Sequence, residues 1–178
     1  MQDDITDGVS LLVERKIADP ARMCIVGASY GGYAALAGAA LTPDLFRCAV
    51  SMSGPADLGA FLKYRAKLHG RNSELYSYWK QQIGDPVADA KRIAEVSPAL
   101  HIDRIKASIL LIHGDEDDVV PYSQSRDLEK RLDKSGRQTD LVTLEGEGHE
   151  GWSIASWRKV LTATGDFLDR NLGPARSP

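Results

Sequence analysis

The sequence predicts an α/β fold in which a mainly parallel sheet of about four strands is flanked by helices. Short apolar runs alternate along the chain with amphipathic or alanine-rich stretches of helical length. This alternation is typical of strands joined by right-handed helical crossovers. The run SILLIHG over 108–114 is apolar almost throughout, which indicates a strand buried on both faces of a parallel sheet.

The first third of the chain is predicted to contain two helices and two strands. A helix comes first, with an apolar face formed by Ile5, Val9, Leu11, Leu12 and Ile17. The pattern then predicts a strand over 23–26, a helix over 33–41 that Pro43 ends, and a strand over 47–54.

The remaining two thirds of the chain begin irregularly and then return to the alternating pattern. Residues 55–100 carry scattered aromatic and apolar side chains, and we expect helices and loops that cover one edge of the sheet. The later elements are a strand over 108–114, a helix over 123–134, a strand over 139–146, a helix over 157–172 and a frayed tail over 173–178.

The composition is that of one globular domain. The chain has 178 residues, of which 43% are hydrophobic and 26% charged. Its net charge of −3 gives no electrostatic reason to expect nucleic acid or an anionic membrane as a partner. The acidic start MQDDITDG is unlike a signal peptide, and no apolar run approaches the roughly 20 residues of a membrane span, so we expect a cytoplasmic protein.

The two cysteines, Cys24 and Cys48, both lie in apolar runs. Neither has a cysteine or histidine companion at the spacing of metal ligands, so no metal or cofactor is predicted. We expect buried free thiols in a reducing compartment rather than a disulfide between neighbouring strands.

The stretch 27–32, Gly-Ala-Ser-Tyr-Gly-Gly, follows a predicted strand and opens a helix. Gly-x-Ser-x-Gly in that context is a nucleophile elbow, a sharp turn that lifts the Ser29 hydroxyl above the sheet. Side chains in place of Gly27 and Gly31 are expected to collide with the neighbouring strand and helix. The alternative is a glycine-rich phosphate loop, but no lysine follows and the spacing is not Gly-x-Gly-x-x-Gly.

A serine nucleophile needs a histidine base that a carboxylate orients, and the later strands offer both. His149 follows the last predicted strand, within EGEGHEGW. His113 is expected to hold the turn before the acidic loop, while His69 and His101 are expected to be exposed. Four acids follow the 108–114 strand, and spacing alone does not choose among them: Asp115, Glu116, Asp117 and Asp118.

Three motifs in this order, GASYGGYAAL, LLIHGDEDDVVPYSQS and GEGH, resemble the catalytic domain of the prolyl oligopeptidase family of serine peptidases. The upstream stretch DDITDGVSLLVERKIADPARM extends the resemblance to nearly the whole chain, above all to bacterial dipeptidyl and acylaminoacyl peptidase-like members. The resemblance implies the C-terminal portion of an α/β-hydrolase fold. It also implies Ser29 as nucleophile, His149 as base, Asp117 as acid, and the backbone N–H of Tyr30 as an oxyanion donor, with Asp118 outside the triad.

The activity implied by the resemblance is cleavage of oligopeptide or aminoacyl bonds through an acyl-enzyme, with a peptide or small acyl substrate and no cofactor. Two alternatives stay open. The first is a carboxylesterase on the same scaffold. The second is a catalytically silent, truncated fragment that self-associates.

The chain departs from the family pattern before the elbow, because it begins one helix ahead of the elbow strand. The resemblance assigns the second oxyanion donor and a β-propeller to the part without a counterpart here. We therefore expect residues 1–178 to form a single, partial α/β-hydrolase catalytic domain, excised from a larger enzyme. Its elbow strand would lie at an unpaired edge, where a second copy could add and form a homo-oligomer.

Overall fold

A parallel sheet with the strand order β1-β2-β3-β4 organises the computed structural model, which describes residues 2–173. The strands are β1 (Cys24–Ala28), β2 (Cys48–Met52), β3 (Ser108–Gly114) and β4 (Thr139–Leu144). Every neighbouring pair is parallel, so the loops after the four strands meet at one edge of the sheet. The predicted α/β class and its parallel sheet are confirmed.

The helices of the described chain alternate with these strands, except for a helical insertion between β2 and β3. They are α1 (Gln2–Glu14), α2 (Tyr30–Leu41), α3 (Leu58–His69), α4 (Glu74–Ile83), α5 (Ala90–Glu95), α6 (Ser123–Lys134) and α7 (Ile154–Leu172). Two single 3₁₀ turns, Pro98–Leu100 and Ile102–Arg104, lead into β3.

The central strand β3 supplies side chains to the cores on both sheet faces. Ile109 and Leu111 pack with residues of α2 and α6 on one face. Leu110 and Ile112 pack on the other face, where α7 contributes Val160 and Phe167. Because successive side chains of a strand point to opposite faces, a strand covered on both sides is apolar at nearly every position.

Helix α2 packs closely behind the sheet because its inner face consists of small residues. An added Cβ at Gly32 would stand 2.9 Å from the Cα of Gly54, and one at Gly38 would stand 2.9 Å from the Phe46 ring. The helix begins at Tyr30, three residues earlier than the sequence predicts. Both glycines of the Gly31-Gly32 pair therefore belong to its first turn.

The apolar face predicted for the first helix is only partly covered by the described residues. No side chain of α1 is buried, and Leu11, Leu12 and the following Ile17 are 46%, 42% and 69% exposed. A hydrogen bond of 3.4 Å from the Gln2 side-chain amide to the Ala34 carbonyl ties the start of α1 to α2. Ile5 and Val9 of this face are half-buried, whereas its later apolar residues remain exposed.

The sequence predicts that the segment 55–100 covers one edge of the sheet. In the structure this segment instead forms a separate helical cluster. Leu58 and Leu62 of α3 pack with Tyr76 of α4 and Ile93 of α5. Tyr33 of α2 packs against this cluster, which places it beside the start of α2 and the elbow. None of the described residues that form this cluster belongs to the edge strands β1 and β4.

Strand β1 is an edge strand of the described sheet, as the sequence predicts. Its Val26 side chain is 46% exposed. On the paired side, Cys24 lies directly opposite Cys48 in the β1–β2 register, and a disulfide joins the two side chains. The expectation of free thiols is wrong, because the register brings their Cα atoms to 4.6 Å, within the span of a disulfide.

Helix α7 ends at Leu172, and Gly173 follows it with a φ of 69°, a left-handed conformation that favours glycine after a helix. The predicted tail starts at this residue, and its other positions, 174–178, lie outside the described residues. None of the described helices is long and apolar enough to cross a membrane.

Candidate active site

The candidate site begins at Ser29, the residue that connects β1 to α2. Its φ of 53° and ψ of −118° are unusual for a residue with a side chain and cost of the order of 1–3 kcal/mol. The surrounding backbone holds the turn. The Ser29 N–H donates to the Met52 carbonyl at 2.8 Å, and the Ser29 carbonyl accepts from the Tyr33 N–H at 3.1 Å.

The two elbow glycines have different surroundings. A Cβ added to Gly27 would collide with the carbonyl group of Gly31, because the first turn of α2 folds directly over the end of β1. A Cβ added to Gly31 would meet no atom of the described chain within 4 Å. Within the described residues the steric expectation therefore holds for Gly27 and is wrong for Gly31.

The structure brings together Ser29, His149 and Asp117 from the loops that follow β1, β4 and β3. His149 Nε2 lies 2.9 Å from Ser29 Oγ. His149 Nδ1 lies 2.7 Å from Asp117 Oδ2. Since a carboxylate only accepts hydrogen bonds, Nδ1 carries the proton, and Nε2 is free to accept from the serine hydroxyl.

Asp117 is the most enclosed of these three groups, with a side chain that has no exposed surface. Its Oδ1 accepts from the backbone N–H groups of Val119 at 2.9 Å and Val120 at 2.8 Å. Burial opposes ionisation, but hydrogen bonds from His113, His149 and the Val120 backbone outweigh it and hold the pKa of Asp117 well below its ordinary value. The carboxylate is therefore ionised at neutral pH.

The other acids of the same loop have different surroundings. Asp115 Oδ1 accepts from the Gly146 N–H at 2.7 Å and joins the two loops that follow β3 and β4. The Asp118 backbone carbonyl accepts from the Arg65 guanidinium at 3.0 Å. Of the four candidate acids, Asp117 is the one whose carboxylate is hydrogen-bonded to His149.

The loop that carries His149 is fixed against the acidic loop. A Cβ in place of Gly114 would collide with the Glu147 carbonyl, and the Glu116 N–H donates to that same carbonyl at 3.1 Å. The indole N–H of Trp152 donates to the Gly148 carbonyl at 2.9 Å. These contacts determine where the His149 ring stands.

The other histidines are all at least partly buried. His113 is fully buried, with Nδ1 2.7 Å from Ser125 Oγ and Nε2 2.8 Å from the Val120 carbonyl. It therefore holds the turn, as expected. The prediction of exposure is wrong for His101, whose Nε2 contacts the Ala94 carbonyl at 3.1 Å, and for His69, whose Nε2 is buried.

A pocket of about 520 Å³ opens beside Ser29, and its walls are mostly apolar and aromatic. They come chiefly from the helical insertion and include Leu58, Phe61, Tyr78, Trp79, Ile83 and Val96. Tyr30 also lines the pocket, at the start of α2, where backbone N–H groups have no intrahelical acceptor. No group of three potential metal-binding side chains occurs among the described residues.

Two buried side chains that support the site could not be predicted from any pattern in the sequence. Buried Arg65 of α3 donates to the Asp118 and Val119 carbonyls at 3.0 and 3.1 Å, which ties the acidic loop to the helical insertion. Gln124 of α6 accepts from the N–H groups of Ala56 and Asp57, both at 2.8 Å. Arginine and glutamine are residue types for which exposure is the ordinary expectation.

The sheet topology, the strained turn after β1 and the loops that meet above it are those of an α/β-hydrolase. More specifically, the chain belongs to the prolyl oligopeptidase family, whose model matches residues 1–175.

The chain is similar to several known proteins. A dipeptidyl aminopeptidase BIII from Pseudoxanthomonas mexicana is 32% identical over the whole chain, which covers 26% of that protein. A dipeptidyl peptidase family member 6 from Caenorhabditis elegans is 26% identical over 84% of the chain and 20% of its own length. The structure of a puromycin-hydrolyzing peptidase from Mycobacterium tuberculosis matches with a TM-score of 0.88 and 31% identity, over 98% of this chain and 25% of that one. The chain thus spans a fifth to a quarter of these proteins.

The two elbow glycines give a matched stability prediction. We expect Gly27→Ala to lower the free energy of unfolding by roughly 1–3 kcal/mol, because the new methyl group meets a backbone carbonyl that cannot move aside. Gly31→Ala should be neutral or slightly stabilising, because alanine is favoured over glycine in a helix by up to about 1 kcal/mol. Urea denaturation of both variants measures the difference, and equal losses would contradict it.

Proposed function

We propose that the chain carries the catalytic triad of a serine peptidase, with Ser29 as nucleophile, His149 as general base and acid, and Asp117 as the group that orients His149. The observation that carries this proposal is the continuous hydrogen-bonded series from Asp117 through His149 to the Ser29 hydroxyl. Membership of a family of serine peptidases supports it.

In the proposed reaction, Ser29 Oγ attacks the carbonyl carbon of a peptide bond while His149 Nε2 takes the hydroxyl proton. The tetrahedral intermediate expels the amine, which receives that proton from His149, and an acyl-enzyme remains. Water then attacks the ester, again with His149 as base, and releases the acid and the Ser29 hydroxyl. Asp117 keeps the proton on Nδ1 and stabilises the imidazolium that forms in each half.

The backbone N–H of Tyr30 is the proposed oxyanion donor within the chain, because it lies directly after Ser29 at the N-terminus of α2. Removal of one such donor costs about 3–4 kcal/mol of transition-state stabilisation. The resemblance assigns the second donor to a part of the family's catalytic domain outside this chain. We therefore propose full peptidase activity for the parent protein and weak or no activity for the chain alone.

The pocket beside Ser29 supports the proposal that the substrate carries an apolar residue on the acyl side of the scissile bond. Phe61 and Trp79, whose rings meet edge to face at 4.9 Å, form part of its wall. Apolar walls with a few polar groups are typical of pockets that select a hydrophobic side chain.

Self-association of a catalytically silent chain is the second candidate function. It is supported by the exposed edge of β1 and by the uncovered apolar side chains of α1. A second copy that paired with β1 would satisfy the free backbone groups of that edge.

Labelling by a fluorophosphonate probe tests the triad. Ser29→Ala should abolish labelling, because the probe forms its bond to the serine oxygen. Asp117→Asn should slow labelling by up to about 10⁴-fold, because the amide favours the wrong tautomer of His149. Asp118→Asn is the matched control, and labelling should stay near the wild-type rate.

The wild-type result also separates the two candidate functions. A labelled monomer in size-exclusion chromatography would support the hydrolase. A folded, unlabelled oligomer would support the silent fragment and would contradict a competent triad in the isolated chain.

A comparison of amide and ester substrates separates a peptidase from a carboxylesterase. We expect the parent protein to cleave aminoacyl amides with an apolar acyl residue as well as p-nitrophenyl esters, since both reactions use the same acyl-enzyme. The measurement is kcat/KM for each substrate, with Ser29→Ala as the blank. Strong ester turnover without amide cleavage would favour the esterase.

A further inference from the structure

His113 is a buried titratable side chain that the proposed reaction does not use. It lies on β3, has no exposed surface, and stands four residues before Asp117. Its Nε2 is 3.2 Å from Asp117 Oδ2, the same oxygen that meets His149. Both ring nitrogens are engaged, since Nε2 also meets the Val120 carbonyl and Nδ1 meets Ser125 Oγ.

The partners of His113 determine its tautomer. The Val120 carbonyl and the Asp117 carboxylate are both pure acceptors, so Nε2 carries the proton. Nδ1 then accepts from the hydroxyl of Ser125, which is itself buried. A ring with its proton on Nε2 satisfies all three neighbours.

These bonds close a ring around the Asp117 carboxylate. Oδ1 accepts from Val120 N–H, the Val120 carbonyl accepts from His113, and the same His113 nitrogen faces Oδ2. Oδ1 thus accepts from two backbone N–H groups, while Oδ2 meets His149 and, at 3.2 Å, the His113 nitrogen whose proton the Val120 carbonyl also accepts. Rotation about the Cβ–Cγ bond would disturb contacts at both oxygens. Without His113, His149 would be the one side-chain donor left at Oδ2.

We propose that His113 is a positioning residue, which holds Oδ2 of Asp117 in the orientation that His149 requires. The inference rests on the proposed function of the Ser29–His149–Asp117 series. The depressed pKa of Asp117 supports it, because after the opposing effect of burial the hydrogen bond from His113 is the foremost cause that favours the carboxylate. A side chain that merely filled the core could be replaced by any residue of similar volume without effect on His149.

A matched pair of variants in the full chain tests the proposal. His113→Gln keeps an N–H donor near the position of Nε2, whereas His113→Met has a similar length and no donor. The probes are ¹⁵N-histidine NMR, which reports the tautomer of His149 and its Nδ1–H hydrogen bond, and the rate of fluorophosphonate labelling.

We expect His113→Met to lose the downfield Nδ1–H resonance of His149 and to label about 10–100-fold more slowly, the usual cost of losing a partner that orients a functional ligand. His113→Gln should recover both readouts to within a few-fold of wild type. Wild-type values of both readouts in the Met variant would overturn the proposal. Equal losses in both variants, accompanied by equal losses of thermal stability, would also overturn it.

The wild-type spectrum gives a test that needs no variant to fold. Nε2 of His113 must carry a proton, and a ring without a proton on Nε2 would overturn the proposal. The NMR readout also separates this inference from the proposed function. A folded wild type that the probe does not label would count against the function, while the His149 signals of the Met and Gln variants would still decide the role of His113.

Discussion

The buried carboxylate of Asp117 is the constraint on which the rest of the site depends. An ionised carboxylate without exposed surface is tolerated only when donors surround it. Here the donors come from its own loop, from β3 and from the loop after β4. Folding must therefore assemble these elements in one arrangement, and that arrangement also directs the second nitrogen of His149 towards Ser29.

Several residues outside Ser29, His149 and Asp117 also stabilise this arrangement. Arg65 fixes the acidic loop from α3, and the Glu116 N–H and Asp115 carboxylate fix it to the loop that carries His149. The strained backbone of Ser29 is stabilised in turn by its bond to the Met52 carbonyl at the end of β2. Donors that are already held in position stabilise developing charge more effectively, because they need no reorganisation when that charge appears.

Local patterns were sufficient for the elements whose surroundings are uniform. The bounds of β3 and α6 agree with the sequence prediction, because β3 is covered on both faces and α6 alternates regularly between core and solvent. Other features depend on tertiary contacts that no local pattern encodes. They are the position of the 55–100 cluster, the exposure of the α1 face and the Cys24–Cys48 bond. Asp117 could be chosen among the four acids only through the family resemblance, and nothing in the spacing indicated that His113 would meet its carboxylate.

The site is not equally supported on its two sides. Asp117 and His149 belong to loops braced by several neighbours, whereas Ser29 follows a strand with one hydrogen-bonded neighbour among the described residues, β2. A Cβ at Gly31 would meet no described atom within 4 Å, and Val26 of β1 is half exposed. Since a strained turn persists only where its surroundings over-determine it, the geometry of Ser29 depends most on its bonds to β2 and to the first turn of α2. The proposed nucleophile, rather than the proposed acid and base, is therefore the member of the series whose position a partner added at the β1 edge would change most.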